Sequence, residues 1–266
     1  MQIISFMAHK GGVGKTTLTF QMAKYLQRKG KITLLIDMDS QKNLTSIFEN
    51  KKFHFPINYT IASILDKPTI PFKTISIPSE KNIDIIPSVT TLDDTLGHIS
   101  DNREYRLRQW LKRNQSKLLK KYDFILIDLP PAWNLAAKNA AVASSKIISP
   151  MDPSLGGFQS RGKTIKALDD LRQKLVNPDT GKPYVRGTVY FLPNKIQHNT
   201  ASSRKFLEDL KNDEDVFAKI PQRELLNKST LYRQGAREYA LNHNDKRQEK
   251  FLRELDKVFN KIQTIK

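Results

Sequence analysis

Apolar residues along the chain fall into short continuous runs that alternate with stretches of helical spacing. Continuous apolar runs are typical of strands buried on both faces of a parallel sheet, and apolar residues three and four positions apart mark one face of a helix. The runs predict strands over residues 2–7, 31–37, 83–86, 124–127, 147–149, 188–192 and 216–220. The helical spacing predicts helices over residues 15–29, 103–121, 135–144, 164–176, 202–210 and 246–265.

This alternation of strands and helices predicts an α/β fold, with a doubly wound and mostly parallel sheet and helices on both of its faces. No linker-like composition and no repeat divides the chain, so we expect residues 1–266 to form a single domain. Ligands of such sheets bind beyond the carboxyl ends of the strands. The loops after Met7, Asp37, Asp128 and Leu192 are therefore expected to line one site.

A glycine-rich segment, HKGGVGKTT over residues 9–17, lies between the first predicted strand and the first predicted helix. In this context glycines let backbone N–H groups turn inward around phosphate, and the helix N-terminus favours an anion. Lys15 would reach the β- and γ-phosphates, and the Thr16 hydroxyl would ligate Mg²⁺. The segment departs from the ordinary phosphate loop, because His9 stands at the first glycine position and a second lysine, Lys10, precedes the glycine pair. A glycine-rich turn that binds nothing is the alternative interpretation.

Three aspartates follow two of the predicted strands. Alternate side chains of an extended segment share one side, so Asp37 and Asp39 face the same way after the second strand. Asp128 follows the apolar strand 124–127, a position from which a carboxylate reaches Mg²⁺ directly or through water. The other interpretation of Asp37 and Asp39 is that they only cap the following helix.

The phosphate loop and several further segments resemble the ParA/MinD group of deviant Walker A ATPases, and specifically the ParA/Soj-type DNA-partition ATPases in the small form without an N-terminal helix-turn-helix. The further segments are LLIDMDSQKNLTSIF (34–48), REYRLRQWL (103–111), YDFILIDLPPAWNLAAKNAAVAS (122–144), KIISPMDPS (146–154), the pair Asn194-Lys195 and KIPQR (219–223). The resemblance implies a Mg²⁺-dependent ATPase that forms an ATP-bound homodimer and then binds DNA without sequence preference. It also implies that a ParB-like centromere-binding protein stimulates hydrolysis, and we expect sequence-specific recognition to belong to that partner.

The resemblance implies roles for individual residues. Lys10 is expected to contact the nucleotide phosphates of the partner subunit, and Asp39 to position the attacking water with Asp37 in support. The implied catalytic residues are Lys10, Lys15 and Asp39, and the implied metal ligands are Thr16, Asp39 and Asp128. The expected phosphate-binding residues are Lys10, Gly11, Gly12, Val13, Gly14, Lys15, Thr16 and Thr17. Two positions depart from the family pattern, since Ser40 stands where proline is usual and Leu129 where a small polar residue is usual.

The segment Asn194-Lys195-Ile196-Gln197 is similar to the N-K-x-D motif that recognises guanine, but Gln197 lacks the carboxylate that accepts both guanine N–H groups. GTP is therefore disfavoured. The family resemblance implies that Asn194 hydrogen-bonds adenine and that Pro221 and Gln222 cover the base. The alternative is that each of these three is an ordinary loop residue.

The composition adds a charge argument. The chain carries 45 Lys and Arg against 27 Asp and Glu, a formal net charge of +18, which attracts phosphate-rich polymers or anionic lipid. The expected DNA contacts, placed near the family's DNA-binding arginines, are Lys195, Arg204, Lys205, Lys219 and Arg223. A second basic set lies on the last predicted helix: Lys246, Arg247, Lys250, Arg253 and Lys257. The chain has no cysteine, which excludes disulfides, thiolate catalysis and Cys-held metal clusters.

The last predicted helix also supports an alternative function. Its apolar residues form a stripe beside lysines: Phe251, Leu252, Leu255, Val258, Phe259, Ile262 and Ile265. A basic amphipathic helix of this kind docks the MinD branch on anionic lipid, so a MinD-like, membrane-associated positioning ATPase is the second hypothesis, unless the stripe faces the core. No run of about 18 apolar residues and no leader pattern occurs, and we expect a cytoplasmic, nucleoid-associated protein.

Overall fold

A seven-stranded sheet forms the centre of the protein. The computed structural model describes residues 1–56 and 58–265. The strands are β1 (Gln2–Phe6), β2 (Thr33–Asp37), β3 (Ile75–Ser76), β4 (Ile83–Ile86), β5 (Phe124–Asp128), β6 (Lys146–Met151) and β7 (Thr188–Pro193). Their order across the sheet is β3-β4-β2-β5-β1-β6-β7, and each neighbouring pair is parallel except β3 with β4. The predicted α/β fold with a mostly parallel sheet is confirmed.

Helices cover both faces of this sheet. They are α1 (Lys15–Arg28), α2 (Asn43–Phe48), α3 (Ile61–Asp66), α4 (Leu92–His98), α5 (Arg106–Arg113), α6 (Gln115–Lys121), α7 (Leu135–Ala143), α8 (Leu155–Lys174), α9 (Ala201–Asp209), α10 (Glu224–Leu231), α11 (Ala236–Asn242) and α12 (Glu249–Thr264). The core on one face contains side chains of α1, α10, α11 and α12, and the core on the other face contains side chains of α3 to α7. Leu35 of β2 belongs to the first core and its neighbours Leu34 and Ile36 to the second, which explains why the strand is apolar at successive positions.

The segment 216–220 is not a strand, so that prediction is wrong. Its residues Phe217 and Ile220 are buried, but its pairing with β7 is an isolated bridge between Val216 and Phe191 and not a continuous ladder. Ile220 N–H then donates to the Pro193 carbonyl oxygen at the end of β7. The apolar run therefore reflects packing beside the sheet, without membership of a strand ladder.

Helix boundaries differ from the predictions where local side chains interrupt or extend the pattern. The predicted helix 103–121 is broken at Asn114, whose side-chain amide donates to the Trp110 carbonyl oxygen at 2.9 Å. α8 begins at Leu155 instead of residue 164, because the Ser154 hydroxyl caps its first turn by accepting from Gly157 N–H at 3.0 Å. The spacing rule does not predict α2, α3, α4, α10, α11 and β3, since elements this short contain too few repeats.

The apolar stripe of α12 faces the protein core. Its buried members are Phe251, Leu252, Leu255, Val258, Phe259 and Ile262, and Ile265 packs partly buried against the same core. The Phe259 ring centroid lies 5.6 Å from that of Tyr25 in α1. Intramolecular packing thus occupies the stripe, which does not favour the lipid-docking alternative. Among the helices in the described part of the chain, none has an apolar stretch long enough for a bilayer crossing.

Candidate functional site

The loops that follow β1, β2, β5 and β7 meet at one edge of the sheet, where they line a cavity of about 440 Å³. The glycine-rich loop borders this cavity together with Asp39, Leu129, Pro131 and Asn194. Parallel strands place their carboxyl ends at a common edge, and crevices there are the usual ligand sites of doubly wound sheets. The four loops meet where the sequence predicts.

The glycine-rich loop adopts a backbone conformation that glycine tolerates without strain. Gly12 and Gly14 have φ angles of 74° and 96°, which lie in the left-handed region. A Cβ atom on Gly14 would lie 2.6 Å from the Asn194 amide nitrogen. Helix α1 starts directly after Gly14, so its first residues, Lys15 and Thr16, border the cavity. An anion in the cavity would therefore meet the N–H groups of a helix N-terminus.

Lys15 is buried beside the cavity. The residue is 7% exposed, and its Nζ donates to the Lys10 carbonyl oxygen at 3.3 Å. Burial lowers the pKa of Lys15, while the charges of Asp128 and Asp39 oppose that effect. Phosphate oxygens in the cavity would stabilise the ammonium form that burial disfavours.

Two buried carboxyl groups end neighbouring strands. Asp37 of β2 and Asp128 of β5 are partners in the register of the sheet, and both are 0% exposed. Burial raises the pKa of Asp128 to about 8, and the charge of Asp37 adds to the shift. Burial likewise raises the pKa of Asp37 to about 6, although hydrogen bonds from Thr45 oppose it. Paired carboxyl groups of this kind favour a bound cation.

Asp37 and Asp39 differ in what they face. Asp37 accepts hydrogen bonds from the Thr45 N–H at 2.8 Å and the Thr45 hydroxyl at 2.7 Å, in the first turn of α2. It also accepts from the Asp39 N–H at 3.1 Å. Asp39 itself borders the cavity and accepts from the Gln41 N–H at 3.0 Å. Asp37 therefore supports the loop and the start of α2, whereas Asp39 is placed beside a bound ligand.

The donor set at this edge fits a magnesium ion that binds together with a nucleotide. The Thr16 hydroxyl donates to Asp128 Oδ2 at 2.6 Å, and Asp39 borders the same cavity. These are oxygen ligands, and Mg²⁺ in nucleotide sites takes one or two carboxylates plus phosphate and water oxygens. Among the described residues, no group of three His, Asp or Glu side chains is placed to hold a metal ion by itself.

Lys10 points away from the cavity, towards the start of α8. Its Nζ donates to Asp152 Oδ2 at 2.5 Å and to the Ser154 hydroxyl at 2.8 Å. The Lys10 and Asp152 side chains are 34% and 22% exposed, so the pair lies at the surface. A contact of Lys10 with a second subunit would require this ion pair to open.

The segments proposed to hold the base lie at the cavity. Asn194 is 4% exposed, and its amide nitrogen donates to the Val13 carbonyl oxygen at 2.7 Å. Pro221 and Gln222 border the cavity. Lys195 Nζ donates to the Gly12 carbonyl oxygen at 2.7 Å, which places it beside the glycine-rich loop, in the same cavity as Arg223.

A second cavity of about 1060 Å³ forms a groove between α9 and α12, and its basic lining residues define the basic groove: Arg204, Lys219, Arg223, Arg247 and Lys250. The groove unites three expected DNA contacts with two members of the second basic set, and leaves Lys195 and Lys205 outside its lining. Pro221 and Arg223 line both the groove and the nucleotide-sized cavity. The two sites are therefore adjacent.

Sequence reasoning missed several residues that the structure places at the site. Gln41 and Asn43 border the cavity. They could have been predicted from the sequence, because they follow Asp39 closely in a polar stretch. Asn227 of α10 also borders it, and Asp152 holds Lys10. Asp152 directly follows β6, within the segment 146–154 that resembles the family. Asn227 carries no local sequence signal, because it reaches the site only through the packing of α10.

Comparisons with known proteins agree with this geometry. Residues 1–179 match a family model described as an AAA domain. The chain is 31% identical over 200 residues to the chromosome partitioning protein ParA of Myxococcus xanthus, covering 74% of this chain and 68% of that protein. It is 30% identical over 180 residues to the sporulation initiation inhibitor protein Soj of Bacillus subtilis, covering 67% and 68%. The crystal structure of a plasmid partition candidate from Borrelia burgdorferi B31 bound to AMPPNP matches with a TM-score of 0.73 and 26% identity, covering 90% of this chain and 95% of that one.

Proposed function

We propose a function from one premise: the chain belongs to the ParA/Soj family of P-loop ATPases. The proposal is that it partitions plasmid or chromosomal DNA, as an ATPase that dimerises on ATP, binds DNA without sequence preference and is stimulated by a ParB-like centromere-binding protein. One observation is the main support for this proposal. A glycine-rich loop with two lysines and three nearby aspartates lies directly beside the basic groove, with Pro221 and Arg223 lining both.

ATP binding is assigned to the glycine-rich loop and to the loops after β7. Backbone N–H groups of residues 11–17 would contact the phosphates at the N-terminus of α1, and Lys15 would neutralise the β- and γ-oxygens. Asn194, Pro221 and Gln222 would contact the base. The support is their common position at one cavity.

Hydrolysis is assigned to Asp39, which would orient the attacking water. Asp37 holds this loop through its bonds to the Asp39 N–H and to Thr45. Thr16, Asp39 and Asp128 would hold Mg²⁺, which when bound stabilises charge on the phosphates. Lys15 would stabilise the same charge from the buried side of the site.

Dimerisation is assigned to Lys10. Its ion pair with Asp152 is partly exposed, and such pairs contribute only about 0–1 kcal/mol. Nucleotide phosphates on a second subunit would therefore compete well for the Lys10 ammonium.

We also propose that residues 1–266 act as one ATPase domain at the nucleoid.

The test compares ATP binding and phosphate release in wild type, Lys15→Ala and Asp39→Ala. Lys15→Ala should lose ATP binding, because the buried charge that faces the phosphates is gone. Asp39→Ala should bind ATP within a few-fold of wild type and lose hydrolysis by about 10²-fold or more. The exposed residues Lys29 and Asp94, changed to Ala, are matched controls. Equal ATP affinity in Lys15→Ala and wild type would contradict the assignment of the loop, and hydrolysis in EDTA would contradict the role of Mg²⁺.

A further inference from the structure

A large share of the positive charge lies far from the basic groove. Residues 103–121 hold eight Lys or Arg residues and a single acidic residue, Glu104. The α5 and α6 helices account for seven of the eight. The function proposed above does not use this charge.

Several of these charges are already engaged inside the protein. Arg106 donates to the carbonyl oxygens of Asp66 and Asp101, and Arg108 donates to that of Val142. Lys121 Nζ forms an ion pair with Asp84 at 2.6 Å. These side chains have structural partners.

Of the seven basic residues in α5 and α6, four remain besides Arg106, Arg108 and Lys121, and they define the α5–α6 surface: Lys112, Arg113, Lys117 and Lys120. All four are exposed, and the ion pairs found among the described residues include none of them. Lys117 and Lys120 are three positions apart on α6 and therefore share one side of it. Lys112 and Arg113 occupy the last turn of α5, next to Asn114, which joins the two helices.

This surface and the basic groove lie towards opposite edges of the sheet. Leu107, Trp110 and Leu118 of α5 and α6 are buried in the core shared with α3, α4 and α7. Phe251 of α12, which lines the basic groove, belongs to the core on the other face. The other wall of the groove, α9, packs Phe206 beside Phe191 of β7, which faces away from the core of α12. Lys121 at the end of α6 pairs with Asp84 of β4, so the four strands β2, β5, β1 and β6 separate the two basic surfaces across the width of the sheet.

The chemistry of the α5–α6 surface fits the phosphate backbone of a duplex. Its apolar residues point into the core, apart from Leu119, which is 51% exposed, so it lacks the broad apolar face with which a helix enters a bilayer. It contains no exposed aromatic ring of the kind that stacks on unpaired bases. Lysine and arginine without base-reading groups contact phosphates irrespective of sequence.

We propose that the α5–α6 surface is a second binding site for the phosphate backbone of double-stranded DNA. A protein that binds one duplex in the basic groove beside β7 then holds a second duplex on the α5–α6 surface, towards the other edge of the sheet, and bridges the two. The inference rests on the proposed DNA binding in the basic groove. The proposed dimer adds copies of both surfaces, so bridging strengthens in the ATP-bound state.

The test is a bridging assay with the full chain, ATP and Mg²⁺. Beads coated with one duplex retain the protein, and the capture of a second, fluorescent duplex of scrambled sequence is measured over a range of salt. The bridging variant carries Lys112→Ala, Arg113→Ala, Lys117→Ala and Lys120→Ala. The matched control carries Lys51→Ala, Lys52→Ala, Lys67→Ala and Lys182→Ala, which removes the same charge from exposed loop positions. Circular dichroism checks that both variants fold.

The bridging variant should stay on the beads within about twofold of wild type and capture at least fivefold less second duplex. The logarithmic salt dependence of capture should become shallower by about 3 to 4, since about 0.9 is lost per phosphate contact. The control variant should capture the second duplex as wild type does. Capture by the bridging variant at the wild-type level, or an equal loss in the control, overturns the inference.

Two further outcomes separate this inference from the proposed function. If wild-type protein is not retained on the beads at all, DNA binding in the basic groove fails. If it is retained and captures no second duplex, only the bridging inference fails. The last arm of the test is sedimentation with phosphatidylglycerol vesicles. Suppose that wild type binds the vesicles but captures no second duplex, and that the bridging variant no longer binds the vesicles. The α5–α6 surface would then be a lipid-binding surface, and the inference would be overturned.

Discussion

A single hydroxyl group connects the second strand to the loop after β4. The Thr45 hydroxyl donates to Asp37 at 2.7 Å and accepts from the Ser88 N–H at 3.0 Å, and all three residues are buried. Asp37 in turn accepts from the Asp39 N–H. The position of Asp39 therefore depends on a short buried chain of hydrogen bonds.

Thr45→Val should lower the free energy of unfolding by about 1–3 kcal/mol, because it removes one of the three hydrogen bonds of the buried Asp37 carboxyl group and leaves the buried Ser88 N–H without a partner. Urea denaturation measures the change. Thr95→Val, which removes a hydroxyl that only bonds to the Thr91 carbonyl of its own helix at the surface, should change stability by less than about 0.5 kcal/mol. Equal changes in the free energy of unfolding for the two substitutions would show that the Asp37–Thr45–Ser88 hydrogen bonds do not stabilise the protein more than a surface hydroxyl does.

Lys10 is the residue whose proposed role depends most on a second subunit. Lys10→Ala should bind ATP with an affinity close to wild type, because Lys10 lies outside the chain's own cavity and contacts Asp152 and Ser154. It should remain monomeric in ATP, since the proposed contact across the dimer is lost. Light scattering measures the mass. An ATP-dependent dimer of unchanged stability in Lys10→Ala would remove this role, and Lys29→Ala is the control for loss of one charge.

At the scale of elements, both side-chain contacts and backbone pairing stabilise the edge of the sheet formed by β3 and β4. β3 has two residues and pairs antiparallel with β4. On β4, the Asp84 carboxyl group accepts a hydrogen bond from the Tyr122 hydroxyl at 2.5 Å and forms an ion pair with Lys121 Nζ at 2.6 Å. Burial acts to raise the pKa of Asp84, but hydrogen bonds from Lys121, Tyr122 and Ser76 outweigh burial and hold that pKa below its ordinary value.

A depressed carboxyl pKa makes this edge sensitive to acid. Asp84 stabilises the fold above its unfolded pKa of about 3.9, and this contribution is lost as pH falls through the lower folded pKa. Asp84→Asn should therefore cost about 1–3 kcal/mol at neutral pH, and the difference from wild type should shrink as the medium becomes more acidic. Urea midpoints at pH values of about 7, 4 and 3 measure this. The exposed control Asp94→Asn should show little effect, and a difference for Asp84→Asn that stays constant across this range would contradict the ion-pair account.

At the scale of the whole molecule, nucleotide state should control the salt dependence of DNA binding. A two-fold dimer presents two basic grooves, so the number of phosphates contacted should about double when ATP is bound. The logarithmic salt slope should double with it, since about 0.9 is contributed per contact. Titrations of scrambled DNA with ATP, with ADP and without nucleotide measure the slopes, and identical slopes in all three states would rule out ATP-gated binding.

The basic groove can be tested separately from nucleotide binding. Arg204 and Lys250 line the groove and not the nucleotide cavity. Changing both to Ala should lower the slope by about two per protomer and leave ATP binding unchanged. Lys51→Ala with Lys52→Ala, on an exposed turn, should leave the slope near wild type. If both double variants lower the slope equally, net charge and not the groove determines affinity.

The sequence by itself determined the features that depend on local chemistry. Leu34, Leu35 and Ile36 are apolar at successive positions because the strand is buried on both faces, and beside the glycine-rich turn and helix that precede it this run predicts a central parallel strand. Gly12 and Gly14 take left-handed angles that other residues adopt only with strain. The phosphate loop, the order of strands and helices and the meeting of the four loops were predictable for this reason.

Only the tertiary structure decided which distant side chains meet and which apolar faces are covered. Lys10 meets Asp152, and Arg204 of α9 meets Lys250 of α12 in one groove, because the strand order brings those elements together. The stripe of α12 has the same spacing whether protein or lipid covers it, and residues 216–220 are apolar whether they join a ladder or pack beside one. The local sequence pattern indicates that a residue is buried. The packing of the whole chain determines which residues bury it.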